Sequence, residues 1–103
     1  MTNPNYIKGR KAEYKTIGRL RLEGYYATRS AGSHHLWDVQ AYLESGKPSE
    51  DKPYLRLIQV KAGTAKISKP ELLKLKLAIV PPQARKEIWW WATGASEPEI
   101  EVV

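Results

Sequence analysis

Residues 54–62 read Tyr-Leu-Arg-Leu-Ile-Gln-Val-Lys-Ala, a run of β-capable side chains bounded by Pro53 and Gly63. Its composition predicts a strand. The pleat sends alternate side chains to opposite faces, so Leu55, Leu57, Gln59 and Lys61 share one side while Arg56, Ile58 and Val60 share the other. Upstream, residues 44–53 are rich in Gly, Ser, Pro and charge and read as an exposed connection. Before it, residues 36–43 alternate, with Trp37, Val39, Ala41 and Leu43 on one face and Asp38, Gln40 and Tyr42 on the other, which predicts another strand. A first strand over 25–30 is expected between Gly24 and the flexible Ala31-Gly32-Ser33 stretch. Residues 6–23 predict a helix, with Gly24 standing where a C-terminal cap belongs. Downstream, Gly63-Thr64-Ala65 forms a loop, and Ser68-Lys69-Pro70-Glu71 supplies an N-cap, a proline at N1 and a capping-box glutamate for a second helix. That helix ends by Val80, because Pro81-Pro82 cannot continue it, and residues 86–92 with 97–102 read as a hairpin around Thr93-Gly94. The order is α-β-β-β-α-β-β, an α/β (α+β) chain with a mixed central sheet flanked by two helices.

The 103 residues suit one domain over 1–103, long enough to bury a core without disulfides or a structural metal. There is no cysteine, hence no disulfide, thiolate ligand or cysteine nucleophile. No apolar run approaches a membrane span, and residues 1–8 are too polar for a signal peptide, so a cytoplasmic protein with no membrane partner is expected. A net charge of +6 and a pI near 9.6 favour a polyanionic partner. Most of the excess lies within residues 1–29, where Lys8, Arg10, Lys11, Lys15, Arg19, Arg21 and Arg29 face only Glu13 and Glu23.

Glu13 is the anomaly of the first helix. At helical spacing Tyr6, Gly9, Ile17, Leu20 and Gly24 form one stripe with Glu13 in its middle, while Lys8, Lys11, Lys15 and Arg19 lie opposite. A carboxylate there must be paired or bind a metal; Arg10 or a lysine from the sheet is the alternative partner. The strands supply a reason for the metal. If the second and third strands are neighbours, Asp38, Gln59 and Lys61 meet on one face, and the first helix packed on that face adds Glu13. Two acids, an amide oxygen and an ammonium in one cleft suit magnesium-assisted cleavage of a phosphodiester, because magnesium takes hard oxygen ligands and leaves positions for water and phosphate.

Tyr6 to Glu13 (YIKGRKAE), the basic helix ending Glu23-Gly24-Tyr25, the run Arg29-Ser30-Ala31-Gly32-Ser33, Asp38 and Gln59-Val60-Lys61 together resemble the archaeal-type Holliday junction resolvases of the PD-(D/E)XK nuclease superfamily, over residues 6–62. The resemblance implies a restriction-endonuclease-like fold and a homodimeric, magnesium-dependent endonuclease, with manganese as a substitute, that nicks four-way DNA junctions in recombination and repair. It implies that Asp38, Gln59 and the Val60 carbonyl bind the metal, that Lys61 is the catalytic lysine, and that Glu13 binds a second metal or its water. Arg29 and the catalytic Ser33 would lie near the scissile phosphate. Lys8, Arg10, Lys11, Ser30, His34, His35 and Lys66 would contact DNA.

Three departures from the family pattern matter. Trp37 stands where the superfamily has proline, with a slightly longer stretch from Ser33 to Asp38. Tyr14 replaces an arginine. Gln59 replaces a glutamate, removing one negative charge from the cation site. Two alternatives therefore stand beside the resolvase reading: a non-catalytic junction-binding protein, and a nuclease acting on other branched or duplex DNA. His34 and His35 point apart in an extended chain and suit phosphate contact better than shared coordination. Trp89-Trp90-Trp91 suit a core and a dimer surface.

Overall fold

Helix α1 (Pro4–Leu22) carries the chain into a sheet whose strands β1 (Tyr25–Arg29), β2 (Val39–Leu43) and β3 (Leu55–Ala62) follow in order; helix α2 (Lys69–Leu77) then leads to β4 (Ala84–Trp91) and β5 (Glu99–Val102). These elements come from a computed structural model that describes residues 4–30, 36–45, 47–49, 51–64 and 66–103, with side chains from residue 9. Ser33, His34 and His35 lie outside the described residues, as does the side chain of Lys8. Among the described residues no helix is long and apolar enough to cross a membrane.

The five strands form one mixed sheet in the order β1-β2-β3-β4-β5. β1, β2 and β3 are successively antiparallel; β3 and β4 are parallel, and β5 returns antiparallel to β4. A parallel pair needs a crossover, which α2 provides. Both helix ends follow from local chemistry. Gly24 takes a φ of 92°, a conformation open to glycine, and its N–H donates to the Arg21 carbonyl at 3.1 Å. Ser68 caps α2 by accepting from the Glu71 N–H at 3.2 Å, with proline in the first turn.

Two cores lie on opposite faces of the sheet. Ala12, Ile17 and Leu20 of α1 pack on Tyr25, Ala27, Val39, Ala41, Ile58, Val60, Trp89 and Trp91. Leu75 of α2 packs with Trp37, Leu55, Leu57 and Ile88. Trp89 and Trp91 thus share the α1 face, as their spacing predicts, and the Trp91 indole donates to the Thr16 hydroxyl at 2.9 Å.

This arrangement corrects three expectations. α1 does not pack on the face of Gln59 and Lys61; it covers Ile58 and Val60, and α2 covers the other side. The second strand begins at Val39 rather than Leu36, because residues 36–38 leave the ladder, and Trp37 therefore packs on the face opposite Val39. The buried stripe of α1 runs through Ala12, Thr16, Ile17 and Leu20, one position round from the one expected, which leaves Glu13 at its edge.

Under α1 the sheet also buries an ionic centre. Arg56 is 3% exposed and Glu87 fully buried. Arg56 donates from Nε and Nη2 to the two Glu87 oxygens, each at 2.7 Å, while Trp89 Nε1 and Arg85 Nε donate to the same carboxylate at 2.9 and 3.0 Å. The Arg56 guanidinium lies 5.1 Å from the Tyr25 ring centroid and 5.5 Å from that of Trp89. Burial pushes the Glu87 carboxyl up, but the bonds and charge of Arg56 outweigh it and hold it below the usual carboxylate range.

Candidate functional site

The site arises where β2 parts from β3. Their ladder ends at the pair Val39 and Ile58, yet β3 runs on beside β4 to Ala62. The Asp38 N–H still donates to the Ile58 carbonyl at 2.8 Å, and the Ser30 N–H donates to the Asp38 carbonyl at 2.9 Å. Beyond this point Val60 has no strand residue opposite on the β2 side, and the Asp38 carboxylate takes its place, accepting the Val60 N–H at 2.8 Å through Oδ2. In an extended strand the N–H and C=O of one residue point to the same side, so the Val60 carbonyl faces the opening that Asp38 occupies. Gln59 and Asp38 line a common cavity of about 200 Å³ with Leu36, Glu71, Lys74 and Leu75.

Glu13 reaches the same end of the sheet from the α1 side. Its carboxylate lies 3.7 Å from Arg29 Nε, too far for a hydrogen bond, and that Nε is buried without a hydrogen-bond partner among the described residues. The Arg29 guanidinium sits 5.6 Å from the Tyr14 ring centroid, so this tyrosine of α1 packs on the arginine of β1. Burial raises the Glu13 pKa and the charge of Asp38 raises it further, against partial opposition from Arg29 and Arg10. Asp38 is also raised, by burial above all, although the Val60 N–H, Lys61 and Arg29 act the other way. Burial is thus the main cause at both carboxylates, with the charge of Asp38 adding to it at Glu13.

Lys61 lies on the α2 side, where its ammonium pairs with Glu71 at 2.8 Å. The Glu71 carboxyl is held below its usual range, mainly by that bond. The structure therefore brings Asp38, Gln59, Val60 and Lys61 to one end of the sheet, with Glu13 close enough to feel the charge of Asp38. Ser30 stands beside them, its hydroxyl accepting from Gln40 Nε2 at 3.1 Å. Arg10 and Lys11 are exposed on α1. Lys66 lies elsewhere, 5.8 Å over the Trp90 ring at a second cavity that Lys61 also lines.

Glu71 was not expected at the site. Its spacing from Ser68 reads as a capping box, and the local reading accounts for the residue without a tertiary role. The cap is present, and the carboxylate does both jobs: one oxygen turns back to the Ser68 hydroxyl, at 3.2 Å, and the other accepts from Lys61.

A divalent ion fits the donor set as far as chemistry decides it. Asp38 Oδ1, the Gln59 amide oxygen and the Val60 carbonyl are hard oxygens, and the raised carboxyl groups are those a cation would relieve. Among the described residues no three carboxylates or histidines lie within joint reach of one ion. A magnesium ion here would take most of its shell from water and phosphate, as it commonly does. Comparison of the chain with protein-family models, with characterised proteins and with solved structures finds no significant match.

Proposed function

We propose that this protein is a magnesium-dependent DNA endonuclease of the restriction-endonuclease-like fold, acting as a homodimer on four-way junctions, with Asp38 at the centre of its site. The observation that carries the reading is the parting of β2 and β3, which leaves the Asp38 carboxylate, the Gln59 amide and the Val60 carbonyl beside one opening, with Lys61 near. The basic surplus of residues 1–29 supports a nucleic-acid partner, and exposed Arg10 and Lys11 are suited to phosphate contact, which positions a duplex without reading its sequence.

Asp38, Gln59 and Val60 would hold the ion, with manganese able to substitute. When bound, it would lower the pKa of a ligated water and neutralise charge on the phosphate. Asp38 is oriented for this by the Val60 N–H, which leaves its second oxygen available. Lys61 would bring its ammonium to the phosphate as negative charge builds on it, leaving Glu71 to do so. Arg29, not fully paired with Glu13, has donors to spare for the same phosphate.

One observation favours a second reading. Gln59 brings no charge and Lys61 is already engaged by Glu71, features that suit a junction-binding protein without turnover. Asp38→Asn separates the two. In the nuclease it abolishes nicking of a labelled four-way junction while junction affinity in a gel-shift titration stays near wild type. Retained nicking would show that Asp38 is not the centre.

A further inference from the structure

We propose that Glu71, from the first turn of α2, is the second acid of the metal site and supplies the charge that Gln59 does not. The inference rests on the nuclease reading above. Gln59 and Glu71 line the same cavity of about 200 Å³ as Asp38. At roughly 30 Å³ for each water, that volume accommodates an ion with several waters of its shell. Asp38 enters from the β2 side and Glu71 from the helix that covers β3, so an ion in the cavity lies between two carboxylates on separate elements.

Lys61 connects the two acids. Its ammonium is bonded to Glu71 and its charge is felt at Asp38. In the metal-free protein Lys61 is a cation whose charge bears on both acids. An entering dication competes for Glu71 and frees the ammonium for phosphate, so metal binding and release of Lys61 are one event. A glutamate at 59 would make Glu71 redundant; the neutral amide makes it necessary. The exposed Ser68 hydroxyl orients the carboxylate, and Lys74 on the cavity wall limits how much negative charge the site accumulates.

The test is direct manganese titration of the DNA-free full chain, followed by water-proton relaxation, on wild type, Glu71→Gln, Gln59→Glu and the double variant, with thermal unfolding as the control for folding. Losing a supporting carboxylate weakens metal binding by about 10- to 100-fold, and that loss is expected for Glu71→Gln. Gln59→Glu in the Glu71→Gln background should return affinity to the wild-type level, a rescue that a helix cap cannot produce because residue 59 is not on the helix. Unchanged affinity in Glu71→Gln, or no recovery in the double variant, overturns the role of Glu71 while leaving the Asp38 site intact. Failure of wild type to bind manganese at all would overturn both.

Discussion

The protein contains two centres of charge on one sheet, and they are built on opposite terms. The Arg56–Glu87 centre is closed: a bidentate pair, two further donors and two aromatic faces satisfy it, and the carboxyl is held below its usual range. The Asp38–Glu13 centre is open: its carboxyls are raised by burial, Arg29 Nε stands 3.7 Å from Glu13, and among the described residues that buried nitrogen has no hydrogen-bond partner. A buried charge set that is satisfied holds a fold together. One that is raised by burial costs stability, and such an arrangement at the parting of two strands, beside a cavity, is where the proposed function puts the bound ion.

The largest effect should come from breaking the closed centre. Glu87→Gln removes the bidentate partner of buried Arg56 and leaves only Glu23, 3.7 Å away, as its counter-ion, which costs about 3–5 kcal/mol. Equilibrium urea unfolding would read this as a large fall in midpoint, and a change below roughly 1 kcal/mol, the size of an ordinary surface substitution or little more, would show that the pair is not structural. Removing charge from the open centre should do the reverse. Asp38→Asn keeps an oxygen for the Val60 N–H and relieves a desolvated charge, so unfolding in chelator should show stability equal to or above wild type. A loss as large as that of Glu87→Gln would erase the distinction between the centres.

The pH dependence sharpens the same contrast through opposite slopes. Asp38 and Glu13 have folded-state pKa values raised from the ordinary 3.8 and 4.5, so the native state binds more protons than the unfolded chain. Their destabilising effect is absent below those ordinary values and grows as pH rises through the raised ones. The advantage of Asp38→Asn over wild type should therefore increase from about pH 4 towards neutrality, following the raised Asp38 group. Glu87 is depressed from 4.5, so its stabilisation is present above that value and disappears as pH falls through the folded pKa; the deficit of Glu87→Gln should shrink in acid. Urea midpoints at a series of pH values test both, and parallel slopes would contradict the assignment. The smallest effect is expected from the exposed Arg19–Glu97 pair, where Arg19→Met should change stability by less than about 1 kcal/mol.

Local signals account for what was legible in the sequence. The order of helices and strands, the Gly24 and Ser68 caps, and the shared facing of Gln59 and Lys61 follow from period, capping chemistry and the pleat. What was hidden depends on sheet register and on which helix covers which face. Arg56 and Glu87 are 31 residues apart and meet because β3 and β4 run parallel with a crossover between them. Periodicity groups residues on a face without saying what packs there, hence α1 was expected on the wrong side. Glu71 was masked by a sufficient local explanation. Asp38 was grouped correctly with Gln59, but its bond to the Val60 N–H depends on β2 leaving the sheet, which no alternation pattern reports.

The most direct test of the central claim is nicking by the wild-type protein. Purified protein is incubated with a labelled four-way junction and with linear duplex of the same sequence, each in magnesium, in manganese and in chelator. The open centre predicts metal-dependent nicks in the junction, in excess over the duplex and absent in chelator. No metal-dependent nicking of either substrate would contradict it and leave a binding protein in its place.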